Sequence, residues 1–509
     1  MDGRMNLVKV HAAGVEGVDG YLVEVEVHRA EPANGVGRTT VVGLPDSAVR
    51  ESIDRVIPAL FAAGLHPRPT DHVVVNLAPA DRRKEGPAFD LAIALGLAFS
   101  LPSAPVLPAN TLFIAELALD GTLRPVRGVL AAALAAKAAG LSHLVCAPAN
   151  AAEATVVGNL AVHAPTSLGE LLLWLKSGLA TAPQATPVPA VPSLVAGPCL
   201  SDVRGQEQAK RALVVAAAGG HNLLMLGPPG SGKTMLARRL PGLLPPMTLD
   251  EALDATRVHS VAGTLSTGGL LTERPFRSPH HNVSAVGLIG GGPVPRPGEV
   301  SLANQGILFL DELPEFPRTV LENLRQPLED GHLTISRSGG RLRFPARCML
   351  VAAMNPCPCG YLGHPTRRCT DSNDAIHRYR ARISGPLLDR IDLHLEVPAQ
   401  RPETLATIDG GETTAQARAR IMAARDRMLA RQGCANAVLD ARGLRKHLQA
   451  TADGLALLAQ AVEELGLSAR AYDRIGKVAR TIADLDGRPE VGLDDLSEAI
   501  GYRVLDRAA

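Results

Sequence analysis

The chain lacks an excess of charge of either sign. Its 509 residues carry 52 Lys+Arg against 51 Asp+Glu, a formal charge of +1. That balance argues against a protein that coats nucleic acid or membrane through bulk charge, though not against a local basic surface. Aromatic residues make up only 3%, too few for an extended base-stacking platform. The 7 cysteines are odd in number and sparse, which argues against a disulfide framework. Lysines number 8, so arginine carries most of the positive charge. The apolar stretch Leu91–Ala115 is interrupted by three prolines and an asparagine, so it reads as a buried helix and a loop, not a membrane span. The segment MDGRMNLVKV has no apolar signal core, and the expectation is a soluble, cytoplasmic protein.

What is present is length and apolarity. At roughly 100–200 residues per domain the chain predicts two to four domains, and 46% hydrophobic residues suffice for their cores. The clearest boundary is Ser177–Ser201, 25 residues without a charge, where Thr181–Pro198 holds five prolines. Such composition favours an extended, semi-rigid linker. The expected division is an N-terminal domain over 1–176, a linker over 177–198, a central domain over 199–400 and a helical region over 401–509. Periodicity predicts strands at Leu22–Val27, His72–Leu77 and Asn222–Leu226. It predicts helices at Leu130–Ala139, Leu168–Lys176, Gln206–Ala218, Ala415–Arg431, Ala469–Leu485 and Leu493–Val504. Charge is unevenly shared: residues 1–198 hold 14 basic and 17 acidic groups, 199–400 hold 22 and 18, and 401–509 hold 16 of each.

The central domain opens with a phosphate-binding pattern. Gly227, Pro228, Pro229, Gly230, Ser231, Gly232, Lys233 and Thr234 fit G-x-x-x-x-G-K-[ST] between an apolar strand and a helix. The glycines let backbone N–H groups turn toward phosphate oxygens, and the following helix adds its positive dipole end. Lys233 would reach the β/γ-phosphates of ATP, and the Thr234 hydroxyl would ligate Mg²⁺. The apolar run Ile307–Leu310 ends in Asp311 and Glu312. Asp311 can complete the Mg²⁺ shell through water, and Glu312 can polarise an attacking water. Asn355 follows a third apolar run, Met349–Met354, and can hold that water beside the γ-phosphate. Arg390, in Gly385–Asp392, can enter a neighbouring subunit's site as an arginine finger or bridge to Asp389 or Asp392 within its own chain. Arg470 is a further γ-phosphate sensor in the helical region, or a surface arginine.

The strings Arg274–His281, Gly290–Gly292, Pro297–Glu299, Ile307–Leu313, Leu324–Glu329 and Ala353–Gly360 resemble the YifB/ComM family of magnesium-chelatase-like AAA+ ATPases over nearly the whole chain. The resemblance implies an α/β fold. A Lon-protease-like (S5-like) α/β domain precedes an AAA+ P-loop α/β ATPase domain with a helix-2 insert, a pre-sensor-1 hairpin and a C-terminal helical lid. It implies a homo-hexamer with ATP sites between subunits. It also implies that ComM members are DNA helicases driving branch migration as incoming DNA recombines during natural transformation, with a recombinase as a possible partner.

Two segments suit such a role. His332–Arg347 alternates about Gly339-Gly340 as a β-hairpin would and carries Arg337, Arg341, Arg343 and Arg347 without an acid. Arg274–Gly298 holds three arginines, His280 and His281, also without an acid. Both could grip branched or single-stranded DNA by its phosphates without reading sequence, or pair with a neighbouring subunit's acids. Cys357, Cys359 and Cys369 fall within 13 residues. The family pattern continues with a fourth cysteine where this chain has Asp371, and His364 lies between. Three thiolates with His364 or Asp371 could hold Zn²⁺, or the loop could carry no metal.

The segment Asn76–Asp90 is similar to the Lon-type peptidase domain. The family's serine falls here at Ala88 and its paired lysine at Ala132, so neither nucleophile nor amine is present. Proteolysis is therefore disfavoured. The expected activity is ATP hydrolysis coupled to DNA translocation. The alternatives are a magnesium-chelatase-type motor subunit, a remodelling ATPase with a protein substrate, and a DNA-binding scaffold that uses ATP only to assemble.

Overall fold

The computed structural model describes residues 7–30, 38–67, 71–100, 107–179, 182–186, 197–265, 269–337, 340–400, 411–503 and 505. The chain forms two compact units. The first comprises Met1–Val191 with Ala252–Leu271, and the second Pro192–Glu251 with Thr272–Ala509. Among the described residues no helix is long and apolar enough to cross a membrane.

The first unit is built on a seven-stranded mixed sheet. Its strands are β1 (Leu7–Glu16), β2 (Asp19–Ala30), β3 (Arg38–Val42), β4 (His72–Ala78), β5 (Thr111–Ile114), β8 (His143–Cys146) and β9 (Ala161–His163), in the order β3-β4-β2-β1-β5-β8-β9. Between β5 and β8 a small antiparallel pair is formed by β6 (Glu116–Leu117) and β7 (Leu123–Arg124). The strand expected at Leu22–Val27 is the middle of β2, which pairs with β1 along its length. In β4 the β-branched run alternates, with Val73, Val75 and Leu77 buried. Each such side chain contributes about 2 kcal/mol when removed from water.

Helices Asp90–Phe99 and Val129–Ala138 have most of their residues buried. Gly20 on β2 lets the second helix approach, since a Cβ there would stand 2.2 Å from the Ala131 carbonyl oxygen. Ala132 is fully buried, and Ala88 packs against the same apolar cluster, with Ala13, Leu112 and Ile114. The two positions where the Lon-type pattern places serine and lysine thus both adjoin one apolar cluster, as methyl groups.

Residues Ala252–Leu271 belong to this unit although they interrupt the sequence of the second. They comprise most of the helix Leu249–Ala262 and the residues after it. Ala252, Ala255, Thr256, Val258, His259 and Ser260 are buried, mostly at helical spacing. Ser260 donates to Glu153, and Arg257 pairs with Asp19 at 2.9 Å.

The second unit carries a five-stranded parallel sheet. Its strands are β10 (Leu223–Leu226), β11 (Phe276–Arg277), β14 (Ile307–Leu310), β17 (Met349–Met354) and β18 (Leu393–Glu396), in the order β11-β14-β17-β10-β18. β10, β14 and β17 are buried at every residue, and accordingly read as continuous apolar runs without alternation. Two antiparallel pairs lie outside this sheet: β12 (Gly290–Gly291) with β13 (Arg296–Pro297), and β15 (His332–Arg337) with β16 (Gly340–Pro345).

The C-terminal helices include Thr414–Gln432, Ala452–Leu465, Ala469–Leu485 and Leu493–Gly501. Ile421, Met428, Val478 and Ile482 share one apolar core with Leu223, Phe309 and Val351 of the sheet. A buried ionic network reinforces the helices: Asp484, 1% exposed, takes Arg431 at 2.6 Å and Arg480 at 3.1 Å. Leaving any of these charges unpaired would cost several kcal/mol.

Candidate active site

The strand order places three polar ends side by side. β14, β17 and β10 are parallel neighbours, with Leu310 opposite Ala352 and Leu226 opposite Met354. Asp311, Asn355 and Gly227 therefore leave the sheet along one edge, the carboxyl end where α/β sheets bind ligands. At Gly227 a Cβ would lie 2.1 Å from the Val397 carbonyl oxygen, so the loop can leave the sheet here only without a side chain. Gly230 and Gly232 take φ values of +76° and +95°, which only glycine adopts without strain. The chain then enters helix Lys233–Ala237.

Lys233 is 8% exposed. Its Nζ donates to the carbonyls of Gly227 at 2.6 Å and Pro228 at 2.9 Å, and to Asn355 Oδ1 at 3.2 Å. Burial lowers its pKa, opposed by the Asp311 and Glu312 carboxylates. Thr234 Oγ1 donates to Asp311 Oδ2 at 2.7 Å. The Ser231 hydroxyl is buried without a hydrogen-bond partner. An orphaned hydroxyl, a lysine folded onto its own loop and a hydroxyl–carboxylate pair form a donor and ligand set that fits a magnesium-bound triphosphate. Glu312 follows Asp311 and pairs elsewhere. It is half-exposed at φ +54°, and its Oε2 lies 3.4 Å from His281 Nδ1. His281 in turn stands edge-on to Phe316. Sequence reading placed His281 only among the residues of a basic insert, because its proximity to Glu312 arises from the fold.

The structure brings Lys233, Thr234, Asp311 and Asn355 together, with Glu312 adjoining. Arg390 and Arg470 stand apart. Arg390 is 5% exposed and, contrary to the expectation of a finger projecting from the domain edge, its guanidinium is held by Glu329 at 2.5 Å and by the Pro386 carbonyl. Neither of the partners anticipated for it is used: Asp392 is bound by Arg474 and lies 3.4 Å from His221. Arg470 is 62% exposed and 4.0 Å from Asp389. The two arginines and their acids form a second cluster.

The two basic segments also differ from one another. In the hairpin β15–β16, Leu333 and Phe344 are buried on one face, while Arg341 and Arg343 are exposed on the other. Pairing closes at Arg337–Gly340, one residue earlier than expected. The side chain of Arg337 and residue Gly339 lie outside the described residues. In Arg274–Gly298, by contrast, two of the three arginines are engaged within the chain. Arg274 bonds the Pro245 and Gln305 carbonyls and Glu251, and Arg277 forms a two-pronged pair with Glu299 at 2.7 and 2.8 Å. Arg296 alone among them is exposed. The expectation of a freely available basic insert is corrected accordingly.

The cysteine group is compact. Cys357, Cys359 and Cys369 place their sulfurs 3.4, 3.5 and 3.6 Å apart, and Asp371 Oδ2 is 3.8 Å from the Cys369 sulfur. Of the two residues offered as a fourth member, Asp371 belongs to the group. His364 instead accepts from the Thr366 and Arg367 N–H groups through Nδ1.

Comparison with known proteins gives a consistent picture. Family models for the magnesium chelatase subunit ChlI match residues 199–405 and, for a separate region of ChlI, residues 23–150. A model for the ChlI C-terminal region matches residues 411–503. The chain is 45% identical to the competence protein ComM of Haemophilus influenzae, over 99% of this chain and 98% of that protein. It is 42% identical to YifB of Escherichia coli, an uncharacterized protein, over the same shares. Its likeness to the magnesium-chelatase 38 kDa subunit of Cereibacter sphaeroides is more limited, 29% over 31% of this chain and 52% of that one.

Proposed function

The chain belongs to the YifB/ComM family of magnesium-chelatase-like AAA+ ATPases, and from that premise we propose that it is a hexameric motor that drives branch migration of DNA during recombination in natural transformation. The observation that carries the DNA reading is the hairpin β15–β16. Its exposed face presents Arg341 and Arg343 with Thr334 and Ser336 opposite them, and no acid. Such a face grips phosphates and ignores bases. The name of the H. influenzae relative, a competence protein, supports the setting.

Bound Mg²⁺–ATP supplies the γ-phosphoryl group and a cation to neutralise its oxygens. The chain's own groups do the remaining work. Lys233 exchanges its loop carbonyls for phosphate oxygens. The Thr234 hydroxyl and the Asp311 carboxylate, already 2.7 Å apart, would hold the cation. Asn355 orients the attacking water, and Glu312 draws its proton. Arg470 of a neighbouring subunit reaches the γ-phosphate, while Arg390 fixes Glu329 and with it the surface from which Arg470 works. Homo-hexamer formation, a recombinase partner and a cytoplasmic location belong to the same reading. A chelatase motor role is less favoured, because the chelatase subunit covers a third of this chain and ComM covers nearly all of it.

The test is to incubate the full-length protein with ATP and a labelled four-way junction. Wild type is expected to resolve the junction into duplexes and to hydrolyse ATP faster with DNA present. Lys233→Ala abolishes both. Glu312→Gln keeps nucleotide binding and slows hydrolysis by roughly 10²–10⁴-fold, the usual contribution of a general base. A protein that neither remodels the junction nor responds to DNA would remove the helicase reading.

A further inference from the structure

The loop after Asn355 carries a group of side chains that ATP hydrolysis does not use. Cys357, Cys359, Cys369 and Asp371 offer one ligand atom each, all within 4.8 Å of one another. The three sulfurs lie 3.4–3.6 Å apart and are all free thiols. A tetrahedral ion with metal–sulfur bonds of ~2.3 Å sets its sulfurs about 3.8 Å apart, close to what is seen here. A disulfide would pair two of the three and strand the last. An iron–sulfur cluster is most often held by four thiolates, and this group has three.

The surroundings are those of a metal site. Cys357 is fully buried, and its sulfur accepts from the Leu362 N–H at 3.4 Å. Asp371 accepts from the Cys359 N–H at 2.8 Å, which orients its carboxylate toward the sulfurs. Bonds of this kind fix the direction of ligands around an ion. A soft set of three sulfurs and one oxygen suits zinc better than magnesium or calcium.

We propose that Cys357, Cys359, Cys369 and Asp371 bind one Zn²⁺, and that this ion braces the ATP site from behind. Cys357 is two residues from Asn355. Gly360, at φ +81°, lies so close to the P-loop that a Cβ would stand 2.6 Å from Pro229 Cδ and 3.8 Å from Asn355 Cγ. The ion therefore ties down the segment that rests on Pro229 and positions Asn355. His364 takes no part. The metal assignment is independent of the ATPase reading; the bracing role rests on it.

The experiment measures zinc in the full-length protein purified without chelators, and its release as thiols are titrated with a mercurial in the presence of a chromogenic chelator. One zinc per chain is expected, released as three thiols react. His364→Ala keeps the zinc, Cys359→Ser loses it, and Asp371→Cys keeps it. With cobalt in place of zinc, Asp371→Cys gives stronger sulfur-to-metal charge-transfer absorption than wild type, as a fourth thiolate requires. If Cys359→Ser does not fold, the titration of the wild type decides alone. Zinc-free wild-type protein, or loss of zinc in His364→Ala with retention in Asp371→Ala, overturns the site. Zinc removal that leaves ATP turnover unchanged overturns the bracing role. If intact protein holds zinc and hydrolyses no ATP, the ATPase reading has failed and the site stands.

Discussion

The Glu312 carboxylate is met by an imidazole. The His281 ring lies 3.4 Å from its carboxylate, and the Lys233 amine also feels its charge. Removing this contact should cost about 1 kcal/mol in the transition state, roughly fivefold in rate. His281→Ala is therefore expected to lower kcat for ATP about fivefold with KM little changed, and His281→Asn to recover part of the loss. Steady-state kinetics checks this, and an equal fall in ATP affinity would instead mean that His281 shapes the pocket. Asp311 and Asn355 were legible because each directly follows an unmistakable apolar strand, and Lys233 and Thr234 because the glycine-rich spacing that leads to them follows another. The partners of Arg390 and Glu312 were not. Glu329 and His281 are distant in sequence, and nothing in local composition indicates which acid or imidazole the fold will deliver.

At the scale of elements the hairpin and the insert part company. Both are acid-free and arginine-bearing, so sequence gave them the same meaning. The structure separates them because the acids that neutralise Arg274 and Arg277 lie outside the insert, Glu299 at its edge and Glu251 on the helix upstream. DNA binding should follow this division. Arg341→Ala and Arg343→Ala are each expected to weaken binding alike on every sequence and to reduce the slope of log K against log salt by roughly 1. Arg277→Ala should instead lower stability, since it strands Glu299. Fluorescence anisotropy over a salt series, with thermal melts beside it, distinguishes these outcomes. A sequence-dependent loss at Arg341 would contradict a phosphate grip. Helices and strands were largely legible at this scale. Ala469–Leu485 and Met349–Met354 have the expected bounds, because amphipathic spacing and an uninterrupted apolar run are strong local signals. The assignment of Ala252–Leu271 to the first unit was not, since its spacing reports a buried face and not what buries it.

For the whole molecule the separation of Arg470 from Lys233 has a direct consequence if sites are shared between subunits. Lys233→Ala and Arg470→Ala should each be inactive alone. Mixed in equal amounts before assembly, they should regain activity at about a quarter of the interfaces, where an intact P-loop meets an intact neighbouring arginine, as random mixing around a closed ring requires. ATPase assays of the mixture check this, and no recovery would place Arg470 in its own subunit's site or in none.

The chain passes from one unit to the other at three places, between residues 191 and 192, 251 and 252, and 271 and 272. In evolutionary terms this is an interlock. A gene split within the proline-rich linker would yield two polypeptides that still share a fold, because the motor's own sequence carries twenty residues of the first unit's core. A gene shortened to the motor alone would leave Leu253 without the apolar cluster it packs against and Ser260 without Glu153. The first unit is thus indispensable to the fold of the chain whatever chemistry it carries.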